Sequence, residues 1–148
     1  MSAADAAPEA ERCGAEIVIR NIADVAEIPI GSVTVAHDQG WTKLLVREDL
    51  NGSPDLAVAM FRMGPHQHHP PHRHPNLGEL YFIWEGRGRV RVGDRVEWVE
   101  AGTAIYIPKG VPHGMDTGDE GVSILIVFPE GDDANIVKEF VEDSDERF

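Results

Sequence analysis

At 148 residues, with 42% hydrophobic and 26% charged side chains, the chain has the size and composition of one globular domain that buries a core without disulfide staples. Its net charge of −13 disfavours nucleic acid and anionic membrane surfaces as partners. No apolar run approaches the roughly 20 residues a helix needs to cross a bilayer, and the single cysteine, Cys13, excludes an internal disulfide or a thiolate metal cluster. The first residues lack the basic and apolar regions of a secretory leader, so the expected location is cytoplasmic.

Residues 1–14, rich in Ala, Glu and Pro without periodicity, read as a tail, and 15–148 as a single domain. From there the chain alternates short β-prone runs with Gly, Pro and Asp. The runs are 16–22, 32–36, 41–46, 56–63, 79–84, 88–92, 95–99, 104–107, 112–115 and 122–128. Gly93-Asp94, between RVRV and RVEWV, suits a two-residue hairpin, and Glu85-Gly86 marks the end of one strand and the start of another. A helical period emerges only over about 132–142, where Asp132 or Asp133 would cap a short helix with Ile136, Val137, Phe140 and Val141 on one face. The fold class is therefore all-β, a sandwich or barrel, with a short C-terminal helix.

Five of the seven histidines crowd into HQHHPPHRH: His66, His68, His69, His72 and His74. Such a run is ordinarily a solvated loop. His72 and His74, however, are one residue apart, and in extended backbone both imidazoles face the same side. Glu79 follows at the start of the apolar strand ELYFIW, and His113 stands after the turn IPKGVP, distant in sequence as a ligand from a separate strand would be. Three neutral imidazoles and a carboxylate suit Fe(II), Mn(II), Ni(II), Co(II) or Zn(II). They would leave coordination positions open for water, substrate or O₂.

The spacing His72-Arg73-His74, four residues, Glu79, six residues, Gly86 resembles the first motif of the cupin family. The segment Gly102, five residues, Pro108-Lys109-Gly110, two residues, His113 resembles the second. The resemblance implies a jelly-roll β-barrel and one divalent metal ion held by His72, His74, Glu79 and His113. Two positions depart from the pattern: His66 stands where the first motif has Gly, and Thr117 where the second closes on Asn. Gly64-Pro65 would then turn the chain, in a loop lengthened by two residues.

In that loop His66, His68 and His69 are expected to be solvent-exposed, the alternative being that one of them, His66 or His69 in particular, acts as a general base. His37 reads as a turn residue. Tyr81 shares strand parity with Glu79, so it points into the barrel either as a catalytic group or as a core aromatic. Arg62 is expected to reach outward from its apolar strand. Met60, Met63, Met115, Phe82, Trp84, Trp98 and Phe128 read as core or interface packing. The resemblance implies a metal-dependent enzyme acting on a small organic molecule, with an Fe(II)-type dioxygenase foremost. The alternatives are an isomerase, lyase or cyclase that uses the ion as a Lewis acid, and a non-catalytic module that captures a sugar or carboxylate. A homodimer paired through the edge EIVIRNI completes the expectation.

Overall fold

The computed structural model describes residues 14–141. Among them ten strands form one curled sheet: β1 (Ile28–Pro29), β2 (Trp41–Val46), β3 (Ala57–Met63), β4 (His68–Arg73), β5 (Glu79–Val92), β6 (Arg95–Glu100), β7 (Ala104–Ile107), β8 (His113–Asp116), β9 (Val122–Phe128) and β10 (Glu139–Phe140). The neighbour order is β1-β2-β3-β9-β5-β8-β4-β10, with β6 and β7 also pairing β5. Every pairing is antiparallel.

β5 organises the barrel. Its first half pairs with β7 and β9, its second half with β6 and β8, so one 14-residue strand belongs to both walls. The change of partners needs a bend, and the register against β9 shifts between Ile83 and Glu85. Gly86 makes the bend possible: its φ is +77°, and a Cβ there would collide with the Gly121 carbonyl oxygen. Glu85-Gly86 therefore kinks a continuous strand instead of ending one. The Gly93-Asp94 hairpin forms as expected, with Val92 facing Arg95 and Gly93 at φ +59°.

The core lies between the two walls. Strand parity puts Phe61 and Met63 of β3, Tyr81 and Ile83 of β5, and Val122 and Ile124 of β9 inward from one wall, against Val90 and Met115 from the other. Glu79 shares the inward face of β5 with Tyr81 and Ile83. Met63 and Met115 are core residues as expected, whereas Trp84 and Trp98 are exposed, the latter with the Arg87 guanidinium 4.5 Å from its ring. Arg62 reaches outward, as its parity requires, to ion-pair with Glu27 and lie over Trp41.

Four expectations are corrected. Residues 16–22 and 32–36 are not strands; a single 3-10 turn (Ile22–Asp24) closes the first segment, and Ile30–Ser32 forms another just before the second. The histidine-rich run is a strand, β4, and not a loop, although Pro70 and Pro71 cannot donate to a ladder. The sheet accommodates them at a register shift between His69 and His72. The expected C-terminal helix is one 3-10 turn, Asp133–Asn135, capped by Asp132, followed by an extended strap ending in β10. A helix that short gains little alone, and the strap gains more by pairing Glu139 and Phe140 with Arg73 and His72. The expected tail, residues 1–14, lies outside the described residues except for Gly14.

Candidate metal centre

His72 and His74 come from β4 and the residue just beyond it, Glu79 from the first position of β5, and His113 from the first position of β8. The curl of the sheet brings the four together. One ligand atom from each lies within 4.8 Å of every other, and all four side chains are buried. The expected ligand set is thus assembled as a cluster.

The hydrogen bonds decide what each ring offers. Nδ1 of His72 donates to the Pro70 carbonyl at 2.8 Å, Nδ1 of His74 to Val137 at 2.8 Å, and Nδ1 of His113 to Val111 at 2.9 Å. A carbonyl only accepts, so each Nδ1 carries the proton and each neutral ring turns the Nε2 lone pair toward the cluster. His113 Nε2 lies 2.9 Å and His74 Nε2 3.3 Å from Glu79 Oε2, and none of these three buried atoms has a hydrogen-bond partner. Lone pairs of three acceptors converging in a buried space repel unless a cation sits among them. Donors held about 2.1 Å from a transition metal and at right angles to one another stand about 3.0 Å apart, which is close to both separations. The residues fit a divalent transition ion.

The electrostatics agree. Burial is the main cause that holds His72 well below the ordinary imidazole range, so it stays neutral. Burial alone would raise the Glu79 carboxyl, but the close approach of His113 and His74 to its Oε2 outweighs it and lowers the pKa to about 2, so the group is a carboxylate.

A cavity of about 400 Å³ opens beside the cluster. Its walls are mostly apolar, among them Leu44, Ala59, Phe61, Ile126 and Phe128, and it includes His69, Tyr81 and Lys138. The Tyr81 hydroxyl is buried without a partner, and burial followed by the charges of Glu79 and Asp38 keeps it well above the usual phenol range. The Tyr81 ring meets His113 edge-on at 5.7 Å. His69 is buried, and its Nδ1 donates to Asp38 Oδ1 at 2.7 Å while Thr34 donates to Asp38 Oδ2 at 2.6 Å.

The loop histidines therefore divide. His69 lines the cavity, whereas His68 is buried elsewhere, with Nδ1 2.6 Å from Asp116 Oδ1. His66 is on the outside, its side chain 66% exposed and 3.1 Å from Asp119, and it does not line the cavity. His37 sits in an exposed turn. Sequence reasoning missed Asp38, Thr34 and Lys138. The first two sit in a turn with no local sign of a site, and the third was expected on a helix.

The family model described as "Cupin domain" matches residues 59–128. Among solved structures, the polyketide cyclase RemF from Streptomyces resistomycificus superposes with a TM-score of 0.66 at 27% identity, covering 77% of this chain and 80% of RemF. The DMSP lyase DddQ from Ruegeria pomeroyi shares the fold, with a TM-score of 0.64 at 22% identity over 80% of this chain and 62% of that one. Among curated proteins, the oxalate decarboxylase OxdC of Bacillus subtilis is 29% identical over 97 residues, 62% of this chain but only 25% of OxdC. An uncharacterized protein of Streptomyces coelicolor is 36% identical over 50 residues, so the chain spans about half or less of either curated relative. The fold and buried His/Glu cluster define a β-barrel protein of the kind that can hold a metal ion. Over residues 59–128 the chain resembles a cupin domain, and its barrel superposes on that of RemF.

Proposed function

We propose that the chain is a metal-dependent enzyme that moves protons on a small organic molecule, in the manner of an isomerase, lyase or cyclase. The observation that carries this reading is the pair of proton-handling groups beside the candidate ion site: the unpartnered Tyr81 hydroxyl and the Asp38-anchored His69. A divalent ion held by His72, His74, Glu79 and His113 would supply Lewis acidity toward a carbonyl or enolate oxygen. Tyr81, kept protonated by its burial, is the donor. Asp38 fixes His69 with its proton on Nδ1, which leaves Nε2 as the acceptor. The apolar walls keep bulk water from competing. RemF, DddQ and OxdC, by their names a cyclase, a lyase and a decarboxylase, support a reaction of this kind. His66 has no part in it.

An Fe(II)-type dioxygenase is the second reading, supported by the same three-histidine, one-carboxylate donor set. The test is deuterium incorporation from D₂O into a panel of enolisable diketones and keto acids by the metal-loaded protein, with and without O₂. Exchange that persists without O₂ and falls in Tyr81→Phe and His69→Gln supports the proposal. O₂ consumption without exchange would transfer the lead to the dioxygenase, and tight binding with neither would leave a binding module. We also propose a homodimer: Ile17 and Ile19 of the expected edge are 78% and 96% exposed and unpaired within the described chain. Sedimentation of wild type against an Ile17→Glu, Ile19→Glu variant tests it.

A further inference from the structure

One cation in the cavity is left over. Arg47 also lines it, but its guanidinium is taken by Asp49 at 2.7 Å and approached by Asp133 at 3.8 Å. Lys138 has no such partner: among the described residues no carboxylate forms an ion pair with it and no acceptor takes a hydrogen bond from its Nζ. Its aromatic neighbour is Phe140, with Nζ 5.8 Å from the ring centroid. The side chain is half-buried, on the strap that pairs with β4. It lines the same space that His72, His74 and Glu79 border.

The carboxylates that act on Lys138 across this space are Asp38, Glu79 and Asp133; each sits against another group, His69, His113 and Arg47 respectively, and none is within ion-pair distance of Lys138. An uncompensated charge there is costly, and a single anionic group on the occupant removes the cost. Asp38 is already satisfied by His69 and Thr34, so it is not the missing partner.

We infer that the substrate is a small organic acid, gripped at one end by the metal centre and at the other by a carboxylate, or a comparable anionic group, on Lys138. This inference rests on the proposed metal centre and adds the substrate's chemical class. The apolar walls between the two grips accept a short hydrocarbon body, and a cavity of about 400 Å³ limits the acid to a small one.

The experiment uses the full-length protein loaded with Co(II), whose visible spectrum reports a ligand arriving on the ion. The probes are the monohydroxamates of malonic, succinic and glutaric acid. Each has the same metal-chelating head as its methyl-terminated hydroxamate counterpart and differs only in the carboxylate tip. In wild type, at least one carboxylate-tipped probe binds about tenfold or more tighter than its counterpart, the increment expected of a hydrogen-bonded ion pair away from bulk water. In Lys138→Met that preference disappears while the methyl-terminated probes bind as before, and Lys138→Arg keeps most of it. Equal affinities in wild type, or a preference that survives in Lys138→Met, would overturn the assignment of Lys138 and leave the metal centre standing. If Co(II) does not bind, or no hydroxamate alters its spectrum, the metal centre itself fails and the inference falls with it.

Discussion

The two places where individual residues depart from the cupin motifs compensate each other. His66, in the position of a family glycine, is the only non-glycine among the described residues with a positive φ, at 54°. A side chain in that conformation costs about 1 kcal/mol. Thr117, in the position of a family asparagine, holds the strained loop. Its hydroxyl donates to Gly64 at 2.6 Å and accepts from the Gln67 amide at 2.8 Å, while its own amide donates to the Gln67 carbonyl. Thr117→Val should therefore cost about 1–2 kcal/mol, since two half-buried backbone groups lose a partner. His66→Gly should be neutral or stabilising by up to about 1 kcal/mol, relief of strain being partly offset by glycine's extra freedom when unfolded. Denaturant midpoints of the two variants check both signs, and turnover should be unchanged in His66→Gly because that ring is outside the cavity.

Among the elements, those with a clean alternating pattern are legible in the amino-acid sequence: β2, β7 and β9 run over the expected residues, and β3, β6 and β8 differ by a residue or so at their ends. The four candidate ligands are equally legible, because short-range parity and motif spacing both survive folding. β4 is not, since two adjacent prolines argue against a strand and only a register shift opposite β8 lets them in. The strap is hidden for the opposite reason. Its local pattern favours a helix, and pairing across to β4 overrides it. The strap is also part of the site: the Val137 carbonyl accepts a hydrogen bond from His74 Nδ1, and the Asn135 carbonyl accepts from Asn76 at 2.6 Å. Ending the chain after Pro129 should leave the barrel folded but weaken metal affinity about 10–100-fold, because His74 loses the acceptor that orients it. Circular dichroism and a competitive chelator titration separate the two effects. Unchanged affinity would mean that the strap does not orient His74.

For the molecule as a whole, assembling the site from neutral imidazoles and a buried carboxylate makes the metal-free protein sensitive to acid. His72 stays neutral in the fold but takes a proton on unfolding once the pH is below its ordinary value of 6.5, so unfolding gains protons and stability falls as the pH drops through that value. Glu79 has the lowered pKa of a carboxylate favoured by folding. Its contribution is complete above its ordinary 4.5 and is lost as the pH falls from there toward about 2. The thermal midpoint of the metal-free protein should decline in two stages on acidification, and His72→Gln should remove the upper one. A midpoint that stays flat from about pH 7 to about pH 5 would contradict the neutral, buried state of His72.

The central claim is that His72, His74, Glu79 and His113 hold one divalent transition metal ion. It is tested most directly by elemental analysis of untagged protein, beside the same measurement on His113→Ala. That residue is 34 positions beyond Glu79 in sequence yet 2.9 Å from its carboxylate in the fold. One ion per chain is expected in wild type, and a near-complete loss in the variant. Wild-type protein free of metal after exposure to Fe(II), Mn(II), Co(II), Ni(II) and Zn(II), or full occupancy in His113→Ala, would contradict it.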